Sequence, residues 1–204
     1  MPALDVDMDE VRETFETNVF AVMRLVQMFS PLLTEARGTI VMIGSVAAVV
    51  PYVFGSVYNA SKAALHQYAN TLRVEMEPLG VKVITIVTGG VQSRIARVDR
   101  VLPETSFYGL LDKQYQRRLK HSQEGAQSNE EYAKSVVDQV LPGAGPWPWR
   151  WVLGDARRRW VWEGNKSWFV YYLSGGWTWS GFFDFYLSRV FQLWKVQKRP
   201  AGKP

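Results

Sequence analysis

The sequence contains no cysteine and only two histidines, His66 and His121, among its 204 residues. The absence of cysteine excludes disulfides, thiolate metal sites and a cysteine nucleophile. Two histidines so far apart exclude a histidine-rich metal cluster and argue against Ser-His-Asp catalysis, so we predict no metal site. The first residues lack the basic and apolar segments of a secretory signal, from which we expect an intracellular protein.

The composition also lacks the bias of disordered or fibrous proteins, because 47% of the residues are hydrophobic and 21% are charged. The charges are unevenly distributed. Residues 1–149 carry 14 Lys and Arg against 16 Asp and Glu, whereas residues 150–204 carry 10 against 3. All nine tryptophans lie between Trp147 and Trp194. The two parts of the chain therefore need separate explanations.

Helical and strand-like patterns alternate within residues 1–141. Helices are predicted at residues 9–33, Val57–Pro78 and Glu130–Val140, and strands at Thr39–Ile43 and Val81–Val87. The strands are almost entirely apolar, which is typical of parallel strands covered on both faces. This order predicts an α/β fold with a doubly wound parallel sheet and with ligands at the carboxyl ends of its strands.

Three polar residues have a spacing that indicates chemistry. Ser45 closes the first strand, Tyr58 opens the following helix, and Lys62 lies one helical turn later. A neighbouring ammonium lowers the pKa of a phenol because positive charge favours the phenolate. We therefore predict that Tyr58 is a general acid or base and that Ser45 hydrogen-bonds a substrate oxygen. A Tyr-x-x-x-Lys pair alone is common on exposed helices, so the serine at the strand end carries much of the argument.

These residues, together with Asn18, resemble the catalytic tetrad of the short-chain dehydrogenases/reductases. The resemblance runs from Asp5 to about Ser93 and corresponds to the second half of that family's catalytic domain. It implies that the α/β fold is the C-terminal part of a Rossmann-like doubly wound parallel sheet. It implies that Ser45 orients the substrate, Tyr58 donates a proton, and Lys62 binds the nicotinamide ribose. It also implies that Asn18 supports a water in the proton relay, so that Asn18, Tyr58 and Lys62 all face the cofactor.

The turn after the second strand strengthens the resemblance. Thr88-Gly-Gly-Val-Gln-Ser93 is similar to the family's Pro-Gly-x-Val-x-Thr stretch, with threonine in place of proline and serine in place of threonine. By this match, Val91 and Ser93 contact the carboxamide of the nicotinamide.

A narrower resemblance is to the 1-acyldihydroxyacetone-phosphate reductases. It rests on Gly44–Ala47, Val50–His66, Asn70–Arg73 and Thr88–Val91. It implies NADPH-dependent reduction of an acylated ketone to an alcohol in lipid biosynthesis, with NAD as the alternative cofactor and a homo-oligomer as a further expectation. Two other interpretations stay open: a tailoring ketoreductase of secondary metabolism, and a truncated, non-catalytic fragment or partner-binding remnant.

The family's glycine-rich phosphate-binding turn is absent from this sequence. That turn belongs to the first half of the domain, where about 75–90 further residues would build three βα units. We therefore expect an incomplete sheet with one unpaired strand edge.

Residues 142–149 form a predicted Pro/Gly linker, and residues 150–204 form a basic, aromatic tail. The uncharged run Ser167–Phe183 is shorter than the ~20 residues that span a bilayer. Because aromatic and basic residues favour membrane surfaces, we predict that the tail binds the endoplasmic reticulum or a lipid droplet from the cytoplasm. The alternative is that the aromatics pack on the core. No nucleic-acid-binding motif accompanies them, so we expect no nucleic-acid partner.

Overall fold

The computed structural model describes residues 1–93, 100–121, 123–141, 159–174 and 182–198. The linker predicted at residues 142–149 lies outside the described residues. The helices are α1 (Met8–Phe15), α2 (Ala21–Glu35), α3 (Ser56–Met76), α4 (Asp112–His121), α5 (Asn129–Val140), α6 (Ser167–Tyr172) and α7 (Phe182–Val190). The strands are β1 (Thr39–Ile43), β2 (Lys82–Thr88) and β3 (Trp160–Glu163). Short 3-10 turns lie at Val46–Ala48, Glu77–Leu79, Gly109–Leu111 and Leu193–Lys198.

The first predicted helix is α1 and α2 joined by a π turn at Glu16–Phe20. The helix begins at Asp7, whose carboxylate accepts hydrogen bonds from the backbone N–H groups of Asp9 and Glu10. The π turn ends where the N–H of Ala21 reaches the carbonyl of Glu16, five residues back.

The three strands form one parallel sheet in the order β1-β2-β3. The central strand β2 is buried from Val83 to Val87, as its apolar sequence predicts. Helices α2 and α3 supply apolar side chains to one face of the sheet. Helix α5 packs on the opposite face against β2 and β3. The predicted α/β class with a parallel sheet is confirmed.

Strand β3 corrects the interpretation of residues 150–204 as a tail separate from the sheet. Its Val161 is only 2% exposed and packs with Ile84 and Ile86. The indole N–H of Trp160 donates to Asn70 Oδ1 at 2.9 Å. The sequence pattern fails here because β3 has four residues, of which one is buried. The alternative interpretation, that aromatics pack on the core, holds for this segment.

Within the described ranges, β1 pairs with β2 alone, so its other edge is unpaired. Val41 and Ile43 of β1 are 37% and 50% exposed. They lie on the face of the sheet that α5 covers at β2 and β3. Between this strand and α2 lies an apolar groove of about 670 Å³.

A third apolar cluster joins elements that are distant in sequence. Phe54, Leu111 and Tyr115 pack with Leu187 and Phe191. Helix α7 and the turn after it are thus packed on α4. Among the described residues, no helix has the length and apolar character needed to cross a bilayer.

The position of Val161 in the core gives a stability prediction. Val161→Ala removes two buried methyl groups and should lower the free energy of unfolding by about 2–3 kcal/mol. The same substitution at Val41, on the exposed face of β1, should change it by about 0.5 kcal/mol or less. Urea unfolding of both variants measures the difference. Equal effects would show that β3 does not belong to the core.

Candidate functional site

The end of β1 and the start of α3 bring together three of the predicted site residues. The Tyr58 hydroxyl is hydrogen-bonded to the Ser45 side chain. The ammonium of Lys62 lies 5.9 Å from the centroid of the Tyr58 ring and donates to the Ile43 carbonyl at 2.9 Å. Ser45 is buried, and Tyr58 and Lys62 are half-buried. The spacing of these residues in the sequence thus predicted a true spatial cluster.

Asn18 joins this cluster through a residue that the sequence did not single out. Its amide donates to Ser61 Oγ at 3.0 Å, and Ser61 Oγ donates to the Tyr58 carbonyl at 2.8 Å. The π turn at Glu16–Phe20 places Asn18 there. The small side chain of Ser61, between Tyr58 and Lys62 in sequence, was the available signal. Asn18 thus anchors the backbone of the helix that carries Tyr58.

The pKa of Tyr58 does not follow the prediction. We expected Lys62 to lower it, yet burial raises the pKa of Tyr58 above its usual value. A hydrogen bond to Ser45 and, more weakly, the charge of Arg118 act in the opposite direction. Burial also lowers the pKa of Lys62. The prediction is wrong in direction because loss of solvent dominates, and the cation that acts on Tyr58 comes from α4.

His66 lies on α3 one helical turn after Lys62, and it is 4% exposed beneath the end of β1. Its Nε2 accepts a hydrogen bond from the Ser45 backbone N–H at 3.1 Å. An accepting Nε2 requires a neutral ring with its proton on Nδ1. Burial, together with the charge of Lys62, lowers the pKa of His66 to about 4. His66 therefore positions Ser45 as a neutral acceptor.

The turn after β2 is held against the segment that follows β3. Gly89 N–H donates to the Glu163 carbonyl at 2.8 Å, and Gly90 N–H donates to the Asn165 carbonyl at 2.9 Å. A Cβ at Gly89 would lie 2.2 Å from the Asn165 carbonyl oxygen, so only glycine fits. This contact explains the first glycine of the Thr88-Gly-Gly sequence.

Val91 and Ser93 bind a carboxamide of the chain itself. The Gln123 side chain donates to the Val91 carbonyl at 3.3 Å and accepts from the Ser93 N–H at 2.9 Å. These two groups are those predicted to contact the nicotinamide carboxamide. They lie beyond the end of β2, which is paired with the end of β1 through Ile43 and Ile86. The turn therefore has the donor and acceptor that a primary amide needs, at the sheet edge that carries Ser45.

A second polar cluster at this end of the molecule was missed. Tyr52 precedes α3, and its hydroxyl is hydrogen-bonded to Nδ1 of His121. The guanidinium of Arg118 stacks on the Tyr52 ring. The His121 ring packs against Phe191. No pattern in the sequence marks these contacts, because they depend on how α4 packs on the loop before α3.

The environment of His66 predicts a specific pH dependence. Its folded pKa of about 4 lies below the ordinary value of 6.5, so the unfolded chain takes up the proton first as the pH falls. The stability contributed by neutral His66 is complete above pH 6.5 and is lost as the pH falls toward 4. From pH 7 to pH 5 the loss should be about 2 kcal/mol.

His66→Gln keeps an acceptor but does not titrate, so it should lose about 2 kcal/mol less than the wild type over the same interval. Urea unfolding of both proteins at pH 7 and pH 5 measures this difference, in which contributions from all other groups cancel. An equal pH dependence of the two proteins would refute the neutral, buried state of His66.

Comparisons with known proteins agree with this geometry. The family model of short-chain dehydrogenases matches residues 1–101. A short-chain dehydrogenase of Aspergillus ruber is 36% identical over 205 residues, which cover 100% of this chain and 67% of that protein. One from Hypocrea virens is 40% identical, covering 97% of this chain and 64% of its own length. The chain thus spans about two thirds of the length of these relatives.

A NADPH-dependent 1-acyldihydroxyacetone phosphate reductase of Saccharomyces cerevisiae is 41% identical over 148 residues, covering 71% of this chain and 50% of that protein. Among solved structures, a short-chain dehydrogenase from Streptomyces avermitilis has a TM-score of 0.64 at 18% identity, covering 98% of this chain and 66% of that one. At that identity the likeness shows the fold alone. Taken with the sequence relatives and the cluster around Tyr58, it leads to one conclusion: this chain belongs to the short-chain dehydrogenase family.

Proposed function

We propose that the protein reduces a ketone to an alcohol with NADPH. The observation that carries the proposal is the hydrogen bond between Tyr58 and Ser45, beside Lys62, at the carboxyl end of the parallel sheet. A ketone oxygen placed between the two hydroxyls would receive hydrogen bonds from both. This placement supports the roles that we propose for Ser45, Tyr58 and Lys62, and Asn18 contacts the same helix through Ser61.

Ser45 is held for this task by two fixed contacts. Its Oγ accepts from the Ala47 N–H at 3.1 Å, and its own N–H is bound by His66. The serine O–H is then directed to the carbonyl oxygen rather than to the backbone. Such a preorganised donor stabilises the negative charge that develops on the oxygen during reduction.

Tyr58 is the proton donor in this proposal. Burial raises its pKa, so the hydroxyl is protonated at neutral pH and can donate to the developing alkoxide. A phenolate remains on Tyr58 after the transfer. Burial destabilises this phenolate, whereas the hydrogen bond with Ser45 and the positive charge of Arg118 stabilise it. Lys62, whose ammonium lies 5.9 Å from the centroid of the Tyr58 ring, would bind the nicotinamide ribose. Asn18 and Ser61 keep the helix in register for this transfer.

The cofactor proposal is supported by the turn at Val91 and Ser93. These residues already bind the Gln123 carboxamide, and a nicotinamide carries the same group. When bound, NADPH would supply the hydride. The yeast relative is NADPH-dependent by name, and a structural neighbour from Burkholderia cenocepacia, with a TM-score of 0.59, was solved with NADP. NAD is the alternative cofactor.

An acylated dihydroxyacetone phosphate is the substrate that we propose first, on the basis of the yeast relative at 41% identity. A ketone of secondary metabolism is the second candidate, and it rests on the family resemblance. The competing class is a non-catalytic remnant that binds a partner through the same fold. Turnover by the purified protein separates the enzyme from the remnant.

Tyr58→Phe should abolish ketone reduction while leaving NADPH binding nearly unchanged, because it removes only the proton donor. General acid catalysis contributes about 10²–10⁴-fold, so kcat should fall by at least that factor. The assay follows NADPH absorbance with 1-acyldihydroxyacetone phosphate, using the protein at the full length that its transcript encodes.

Tyr68→Phe is the matched control, since Tyr68 lies on the same helix and packs against the core away from Ser45. It should keep wild-type turnover. Near-normal turnover of Tyr58→Phe would refute the assigned role. Intact NADPH binding without reduction of either ketone class by the wild type would favour the remnant.

We also propose that the protein associates with intracellular membrane surfaces from the cytoplasm. Trp168, Tyr171 and Tyr172 on α6 are 64%, 51% and 63% exposed, and their spacing places them on one helical face. Phe185 and Tyr186 on α7 are also exposed. Exposed aromatic clusters of this kind favour the interface between lipid and water, and the net charge of residues 150–204 favours anionic lipid.

Replacing Trp168 and Tyr172 together by serine should weaken binding to vesicles by about tenfold or more, because both aromatic side chains would lose their contact with lipid. Flotation with phosphatidylserine-containing vesicles at low and high salt measures the bound fraction, which should fall but not vanish with salt. Phe20→Ser removes an aromatic side chain that is 51% exposed in the N-terminal part of the chain, and it should have no effect. Wild-type protein that stays in the soluble fraction at low salt would refute the proposal.

A further inference from the structure

Arg118 reaches from α4 to the loop that precedes α3 and is held there by two contacts. Its guanidinium carbon lies 3.8 Å from the centroid of the Tyr52 ring. Its Nε donates to the Val53 carbonyl at 3.0 Å. Stacking and this hydrogen bond fix the plane of the guanidinium and leave the paired Nη groups for another acceptor.

The guanidinium lies next to the helix that carries Tyr58. A Cβ at Gly55, the residue before α3, would lie 2.8 Å from Arg118 Nη2. Gly55 has a φ of −128°, which any residue adopts, so the glycine provides space rather than an unusual backbone conformation. The positive charge of Arg118 also acts to lower the pKa of Tyr58, against the larger effect of burial. Arg118 therefore lies beside the start of α3 and close enough to Tyr58 to act on its hydroxyl.

This half-buried cation has no counter-ion in the part of the chain that the structure describes. The groups that favour its charge are the hydroxyls of Tyr52, Tyr58 and Tyr115, which are neutral at pH 7, and no carboxylate is among them. Burial accordingly lowers the pKa of Arg118. A cation removed from water without an anion costs free energy, which a bound anion would offset.

A second polar group without a hydrogen-bond partner among the described residues lies beside Gly55. The Oδ1 of Asn59 is buried without a hydrogen-bond partner, and it would lie 3.1 Å from a Cβ at Gly55. The amide nitrogen of Asn59 is already bound to the Tyr52 carbonyl at 2.9 Å. Arg118 Nη2 and Asn59 Oδ1 therefore both lie against Gly55, so the start of α3 holds a guanidinium beside an amide oxygen that has no donor among the described residues.

We propose that Arg118 forms an oxyanion subsite, which binds the phosphate or carboxylate of the substrate while its ketone lies at Ser45 and Tyr58. The identity of the ketone rests on the proposed function, whereas the recognition of the anion does not require turnover. The subsite makes Arg118 a specificity-determining residue, since an uncharged ketone would leave the guanidinium without an anion.

The test compares two ligands that differ only in the anion, 1-hexanoylglycerol 3-phosphate and 1-hexanoylglycerol, by isothermal titration calorimetry. The wild type should bind the phosphate about 10- to 100-fold more tightly, the factor expected for charge-assisted hydrogen bonds. Arg118→Gln should remove this preference and leave the affinity for 1-hexanoylglycerol within about threefold. Arg118→Lys should restore part of the preference, because it returns the charge without the planar fork.

Arg117→Gln is the control, because Arg117 is the exposed neighbour on the same helix, and it should keep the wild-type preference. A carboxylate analogue that binds as tightly as the phosphate would support a general oxyanion subsite, and weaker binding would support one selective for phosphate. Equal weakening of both ligands in Arg118→Gln would reveal a purely structural arginine and overturn the proposal. So would a wild type with no preference for the phosphate.

The proposed function and the oxyanion subsite can be refuted separately. Loss of the phosphate preference in Arg118→Gln stands even if Tyr58→Phe proves to have no effect on turnover, because the binding measurement involves no reduction. Conversely, reduction that depends on Tyr58 but binding that ignores Arg118 would overturn the subsite alone.

Discussion

The hydrogen bond from the Ser45 N–H to His66 is the contact on which the site depends. It ties the end of β1 to α3, the helix that also carries Tyr58. A Cβ at Gly44 would lie 2.1 Å from His66 Nε2, so the strand can approach the helix this closely only through a glycine. Pairing within the sheet fixes the position of β1, and the His66 imidazole fixes the backbone at Ser45. The Ser45 hydroxyl is then free to point only toward the substrate oxygen.

Local patterns predicted the part of the fold that is governed by local forces. Strand β1 has the predicted bounds, and α3 and α5 begin within one residue of the predicted positions. Strand β3 was missed because its single buried residue, Val161, gives no periodicity, and its partner β2 lies far away in sequence. The place of Arg118 likewise depends on tertiary packing. The predicted direction of the Tyr58 pKa shift was wrong for a related reason. Sequence spacing reveals a neighbouring charge, but it does not reveal how far folding removes the side chain from solvent.

Two differently built regions meet at Tyr58. On one side the parallel sheet and its helices supply Ser45 and the turn that contains Val91 and Ser93. Backbone hydrogen bonds hold most of this region together. On the other side α4 and α7 form their own apolar cluster around Tyr115 and Phe191, which carries Arg118. The first region would set the chemistry and the second the choice of substrate. Under this proposal, substitutions in the second cluster should alter selectivity without disturbing the sheet.

The π turn at Glu16–Phe20 has an evolutionary consequence. Its hydrogen bond spans five residues where an α-helix spans four, so the turn holds one residue more than regular helix would need. Loss of a single codon here would restore an unbroken α-helix with little change to α1 or α2, but Asn18 would lose its approach to Ser61. Among related genes, this is the position where a one-residue gap in an alignment would mark a change in the site rather than in the fold.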